Sequence, residues 1–169
     1  MIIDGKKEAQ LFRDEIKKEI ESIKSKSNKV PSLSVILIGD YAPSQIYVKN
    51  KEKNAKEVGI NSKVIKYSKD VSEQEVLNKI KELNDNDAVS GILVQLPLPP
   101  QINKEKIINT INPLKDVDGF HPINVGNLSS GYNATVPCTP LGCLILIKKV
   151  EPNLSGKHAV IIGRSNLNG

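Results

Sequence analysis

Three short apolar runs, at residues 33–38 (LSVILI), 64–67 (VIKY) and 91–95 (GILVQ), are separated by two stretches of helical periodicity. A short, continuous apolar run closed by turn residues reads as a strand buried on both faces. Strands that alternate with helices pair in parallel through right-handed crossovers, so the order β, α, β, α, β predicts an α/β fold built on a parallel sheet. Ligands in such sheets collect at the carboxyl ends of the strands. Those ends are residues 39–44 and 95–98.

The helices carry different amounts of information. Residues 5–24 place Ala9, Phe12, Ile16, Ile20 and Ile23 at spacings of three and four, as an amphipathic helix requires. Residues 43–59 wind, at about 100° per residue, into a helix with one charge on the wrong side. Val48, Ala55, Val58, Ser44 and Tyr47 share one arc, while Lys49, Glu52, Lys53, Lys56 and Glu57 fan out opposite. Lys51 falls among the apolar group. An ammonium on a buried side needs polar partners or gives up its proton more readily, and such a lysine can exchange protons near neutral pH. Tyr47, one turn earlier, offers a ring on which a flat ligand can stack.

Further along, Ser72 and Glu75 have the spacing of a capping box, ahead of a helix whose Val76, Ile80 and Leu83 line one face. A short helix is expected at 104–111. Residues 112–137, rich in Pro, Gly, Asn and Asp, read as irregular and long for a mere connection, which points to function or to a junction of domains. Thr139 and Pro140 are expected as N-cap and first residue of another helix ending near Glu151, and Ser155-Gly156-Lys157 turns into a strand at 158–162.

Charge and cysteines narrow the function classes. The formal charge of +5 rests on lysines interleaved with glutamates, and only Arg13 and Arg164 are arginines, so nucleic-acid binding is not expected. Cys138 and Cys143 have no further cysteine to complete a metal site and read as reduced thiols of a cytoplasmic protein. The N-terminus lacks the apolar core of a signal peptide, and no stretch approaches a membrane span.

Three places carry chemistry. Gln95 stands where a buried strand leaves the sheet, either capping backbone in the following proline turn or accepting from the Lys51 ammonium and tuning it. The segment Asp116-Val117-Asp118-Gly119-Phe120-His121-Pro122 fails as a calcium loop because its later ligand positions hold Pro122 and Asn124. A carboxylate pair in a turn is commonly a cap. Asp118 has the alternative of gripping a planar donor pair such as the edge of a pterin, whereas His121 reads as structural. Gly163 to Gly169 has the G-x-S-x-x-x-G arrangement of a phosphate-binding turn, with Arg164 suited to the extra phosphate of NADP.

Taken together, DGK at 4–6, PSQIYVKNK, GILVQLPLP, KDVDGFHPINVG, PCTPLG and IIGRS resemble the N-terminal part of the bifunctional methylenetetrahydrofolate dehydrogenase and methenyltetrahydrofolate cyclohydrolase family. The resemblance implies a three-layer α/β/α catalytic domain over residues 1–120. Residues 121–169 would then be the linker, helix and first strand of an incomplete Rossmann-type NADP domain, with folate bound between the two. It also implies that Tyr47 stacks on the pterin, Lys51 is the catalytic lysine, Gln95 supports it and Asp118 holds the pterin edge. Val94 and Leu96 would flank Gln95 in the substrate wall, and Gly163, Arg164 and Ser165 would contact NADP. Members of the family continue past this point, and Asn168 stands where they usually carry a small apolar residue.

The activity implied is NADP-dependent oxidation of 5,10-methylenetetrahydrofolate, followed by hydrolysis of the 5,10-methenyl cation to 10-formyltetrahydrofolate, without a metal and, at full length, in a homodimer. The alternative is a truncated folate-binding fragment without turnover. Because only the strand and glycine turn of a dinucleotide site are expected here, the 169-residue polypeptide is expected neither to bind NADP nor to oxidise the methylene compound by itself.

Overall fold

The computed structural model describes residues 2–163 and 165. Strands β1 (Ser32–Ile38), β2 (Asn61–Tyr67) and β3 (Gly91–Val94) form one parallel sheet in the order β2-β1-β3. Register is set by pairs such as Val35 with Val64 and Val35 with Leu93. Helix α1 (Gly5–Ser27) precedes the sheet, α2 (Ala42–Glu57) joins β1 to β2, and α3 (Glu73–Asp85) joins β2 to β3. The chain travels outward from β1 to β2 and then back past β1 to β3. Right-handed crossovers in opposite directions put α2 on one face of the sheet and α3 on the other.

Each face has its own core. Ile36, Ile38, Ile92 and Val94 pack with Val76, Ile80 and Leu83 of α3 and with Ile107 of α4 (Lys104–Thr110). The α2 face is smaller, with Val35, Leu37 and Leu93 around Val48. This is the expected α/β/α layering on a parallel sheet. The connection after β1 leaves toward α2 and the one after β3 toward α4, on opposite faces. Such a reversal opens a crevice at the carboxyl ends of the two neighbouring strands.

Local chemistry fixes the helix ends. Asp4 accepts from the Lys6 and Lys7 amides at 3.1 Å each, Ser72 from the Glu75 amide at 3.2 Å, and Asn103 from the Lys106 amide at 3.0 Å. Each bond satisfies one of the donors that a helix leaves unpaired at its start.

Several expectations are corrected. Residues 112–137 contain a helix, α5 (Pro122–Ser129), which His121 starts by accepting the Ile123 amide on Nδ1 at 3.1 Å. Helix α6 spans Cys138–Val150 with Pro137 as its N-cap, so Thr139 is not the cap. Pro140 is tolerated because the first turn needs no amide there. The strand expected at 158–162 does not form: these residues have no regular structure, and Val160, Ile161 and Ile162 are 75%, 69% and 100% exposed. A strand persists only where neighbouring backbone takes its N–H and C=O groups. Helix α1 forms as expected, yet Ile20 is its one buried residue, and Phe12 and Ile23 remain on the surface.

Candidate active site

Helix α2 enters directly from the β1 turn, with Pro43 in its first turn, and buries Ser44, Val48 and Ala55 against the sheet. Lys51 follows Val48 by three residues, on the edge of that buried stripe, and is half-buried. Its Nζ donates to Gln95 Oε1 at 3.3 Å. Gln95 is the first residue past β3, and its amide nitrogen donates to Ile36 O at 2.9 Å, which locks it to the end of β1. Its side-chain Nε2 donates to Leu96 O at 2.8 Å. That bond turns the amide so that its oxygen, the only end able to meet an ammonium, faces Lys51. Gln95 therefore does both things weighed from the sequence, capping backbone in the proline turn and accepting from the lysine. The Leu96–Pro97 peptide in this turn is cis.

Lys51, Gln95, Leu96, Asp118, Phe120, Pro137, Cys138 and Thr139 line a cleft of about 320 Å³. A second, more apolar hollow of about 470 Å³ adjoins it, sharing Lys51, Asp118 and Cys138 and running along Leu33, Leu93 and Val117. Burial pushes the Asp118 carboxyl above its ordinary range. The Lys51 ammonium pulls it back, and the negative charge of Asp116 adds to the rise. The Cys138 thiol is likewise pushed up, first by desolvation and then by Asp118, with Lys51 opposing. Cys138 is nonetheless exposed as a residue and lies 4.0 Å from Val117 O. The site thus joins the Lys51 side-chain nitrogen, an acceptor that fixes it and a desolvated carboxyl, at the crevice where the connections diverge.

The structure does not bring every expected residue to this cleft. Tyr47 is 61% exposed, one turn before Lys51, and is not among the side chains lining the cleft. Val94 points into the core on the α3 face, so of the two residues flanking Gln95 only Leu96 reaches the cleft. Ser165 lines a separate hollow of about 400 Å³ with Lys104, Glu105 and Phe120. Gly163 is described, with φ of 151°, while Arg164 and Asn168 lie outside the described residues. No strand stands before Gly163 among the described residues. Cys138, read from the sequence only as a reduced thiol, is brought in by the chain path: a Cβ on Gly119 (φ +70°) would approach Thr135 O to 2.5 Å, so the turn passes directly under the segment leading into α6.

A family profile described as "Tetrahydrofolate dehydrogenase/cyclohydrolase, catalytic domain" matches residues 3–118. The chain belongs to that family. The matched stretch contains Lys51, Gln95 and Asp118. The bifunctional protein FolD of Pelagibacter ubique is 64% identical over 169 residues, covering 100% of this chain and 60% of that protein. The crystal structure of the bifunctional FolD methylenetetrahydrofolate dehydrogenase/cyclohydrolase from Campylobacter jejuni superposes with a TM-score of 0.96 at 47% identity, over 100% of this chain and 60% of that one. The Trypanosoma brucei enzyme, solved with NADP cofactor and an inhibitor, gives 0.95 at 32% identity, over 100% and 58%. The chain spans about 60% of the length of the relatives it matches.

Proposed function

We propose that the protein interconverts one-carbon tetrahydrofolates, by NADP-dependent oxidation of 5,10-methylenetetrahydrofolate to the 5,10-methenyl compound and hydrolysis of that cation to 10-formyltetrahydrofolate. The observation that carries this reading is the Lys51 Nζ to Gln95 Oε1 bond in a cleft shared with Asp118. Family membership and the activities for which the relatives are named point the same way.

In the hydrolysis, water adds its oxygen to the amidinium-like carbon and loses one proton. The second O–H proton leaves as the carbonyl forms, the C–N bond on the N5 side breaks with its electron pair returning to N5, and N5 takes up a proton, so that one proton is released overall. Lys51 is placed to hold and move the proton, and Gln95 keeps its nitrogen in position. Asp118 would take the donor pair of the pterin edge, with Leu96 and Phe120 as apolar wall. Tyr47 would reach the ligand from the rim, and Val94 supports the wall from behind. NADP, where bound, accepts the hydride of the first reaction. Gly163, Arg164 and Ser165 belong to that cofactor's site in this reading, and residues 1–120 and 121–169 to the two domains.

A cytoplasmic homodimer completes the proposal. No helix among the described residues is long and apolar enough to cross a membrane, and β2 leaves one edge of the sheet without a strand neighbour. A second reading, a folate-binding polypeptide without turnover, is favoured by one observation: residues 158–162 form no strand.

The test is Lys51→Met in a version extended to the length of the relatives. Cyclohydrolase turnover should fall by a factor of about a hundred or more, the usual contribution of a positioned acid–base group, with the fold intact by circular dichroism. Near-normal turnover would remove Lys51 from the mechanism.

A further inference from the structure

The turn that carries Asp118 is built around another carboxylate. Asp116 is 4% exposed, and its two oxygens accept three donors: the Gly119 amide at 3.1 Å, the His121 amide at 2.8 Å and Asn124 Nδ2 at 2.9 Å. Asn124, itself buried in α5, also donates to Pro113 O at 2.9 Å, so both sides of the turn are tied to one side chain. The entry to the turn is anchored separately. Lys115 Nζ donates to Leu83 O, Asn84 O and Asn86 O at 3.1, 2.7 and 2.8 Å, while Lys115 O accepts the Ile92 amide at 2.7 Å. Residues 115 and 116 are thereby fixed to the end of α3 and to the edge of β3. Of the remaining side chains of the turn, Val117 packs on the α2-face core, and Val117, Asp118 and Phe120 line the hollows around Lys51.

A buried carboxylate held by N–H donors, in no ion pair among the described residues, is costly unless its hydrogen bonds do something a neutral side chain could not. Here two of the three donors are backbone amides on either side of Phe120, and an acceptor-only group is what lets the chain reverse within that space. We propose that Asp116 is a positioning residue: by gathering Gly119, His121 and Asn124 on one carboxylate it fixes the turn that presents Asp118 to the cleft. It touches no substrate itself and acts through Asp118. The inference rests on the folate reading for what Asp118 grips, and on the geometry alone for what holds Asp118.

The test is a mutant cycle read by anaerobic calorimetric titration with tetrahydrofolate, alongside amide hydrogen exchange. Asp116→Asn keeps the shape but turns an NH₂ either toward the Gly119 amide or toward the His121 amide and Asn124 Nδ2 together. It should weaken binding about tenfold, the loss expected for one charge-assisted hydrogen bond that is no longer aligned. In an Asp118→Asn background the same change should cost less than about twofold, because residues that act through one another are not additive. Equal losses in the two backgrounds would overturn the proposal and leave Asp116 a general stability residue. Gly119 and His121 amides should exchange faster in Asp116→Asn while those of β1 do not, and unchanged exchange there would overturn it as well. If the unmutated protein shows no binding of tetrahydrofolate, the folate reading falls and the exchange data alone decide the role of Asp116. Should Asp116→Asn fail to fold, Asn124→Ala removes one of the three donors, and its loss of affinity should again vanish in the Asp118→Asn background.

Discussion

At the scale of single residues the site is a contest between charge and burial, and Asp118 shows its sign. Its carboxyl is raised above the ordinary value of 3.8, first by desolvation and further by Asp116, with Lys51 opposing. A carboxyl whose folded-state value lies above its unfolded one is destabilising when ionised. That cost is present at neutral pH and disappears as pH falls through the raised value toward 3.8. Asn at this position bears no such cost. Asp118→Asn should therefore leave the melting temperature unchanged or higher at pH 7, with any gain shrinking on acidification, while tetrahydrofolate affinity falls about tenfold. Thermal scans across pH, paired with titrations, measure both. A large drop in melting temperature with unchanged affinity would make Asp118 a structural residue. Lys51 was legible in the sequence because a helical wheel needs only local geometry. Asp116 was legible only as one of a carboxylate pair that commonly caps a turn, since its three donors are gathered by a reversal of the chain that periodicity does not describe.

At the scale of elements, the cleft depends on how α3 and α4 are tied to the turn behind it. Asn84, near the end of α3, donates through Nδ2 to Thr110 O at 2.6 Å and accepts the Asn112 amide on Oδ1 at 2.9 Å. One side chain thus closes the end of α4 and starts the chain toward Lys115. Asn84→Ala would strip partners from a partly buried carbonyl and amide at once, and the expected loss is about 2 kcal/mol, nearer the cost of unsatisfied groups than the smaller net value of one hydrogen bond. Urea denaturation should show this as a lower midpoint with an unchanged slope. A midpoint within error of the parent protein would mean that water replaces both bonds. The strands were readable because continuous apolar runs have few alternatives. Helix α5 was not, because Pro-Ile-Asn-Val-Gly-Asn-Leu-Ser has no apolar stripe of its own and forms through the His121 cap and the Asn124 anchor. The strand expected at 158–162 shows the opposite error: its pattern is right for a strand, but among the described residues no strand lies beside it to pair with.

At the scale of the whole molecule, the cleft proposed for folate and the turn proposed for the dinucleotide differ in how complete they are. Lys51, Gln95, Asp118 and the Asp116 turn are held by the sheet and by α2 to α5, all within the described residues. A dinucleotide site needs a strand, a glycine turn, a helix N-terminus facing the pyrophosphate and a next strand to meet the ribose. Residues 158–162 supply no strand, and Val160, Ile161 and Ile162 present their side chains to solvent. The two halves of the proposed activity should therefore separate in a polypeptide of these 169 residues. Tetrahydrofolate should bind, because every group proposed to hold the pterin edge is anchored without help from residues 158–162. NADP should give no measurable heat, and 5,10-methylenetetrahydrofolate mixed with NADP should give no absorbance of the methenyl product. Calorimetric titration with each ligand, on one preparation, makes the comparison internal. Micromolar NADP binding or steady oxidation by the purified polypeptide would show that the turn after Ile162 organises around the cofactor, and the separation of the two halves would be wrong.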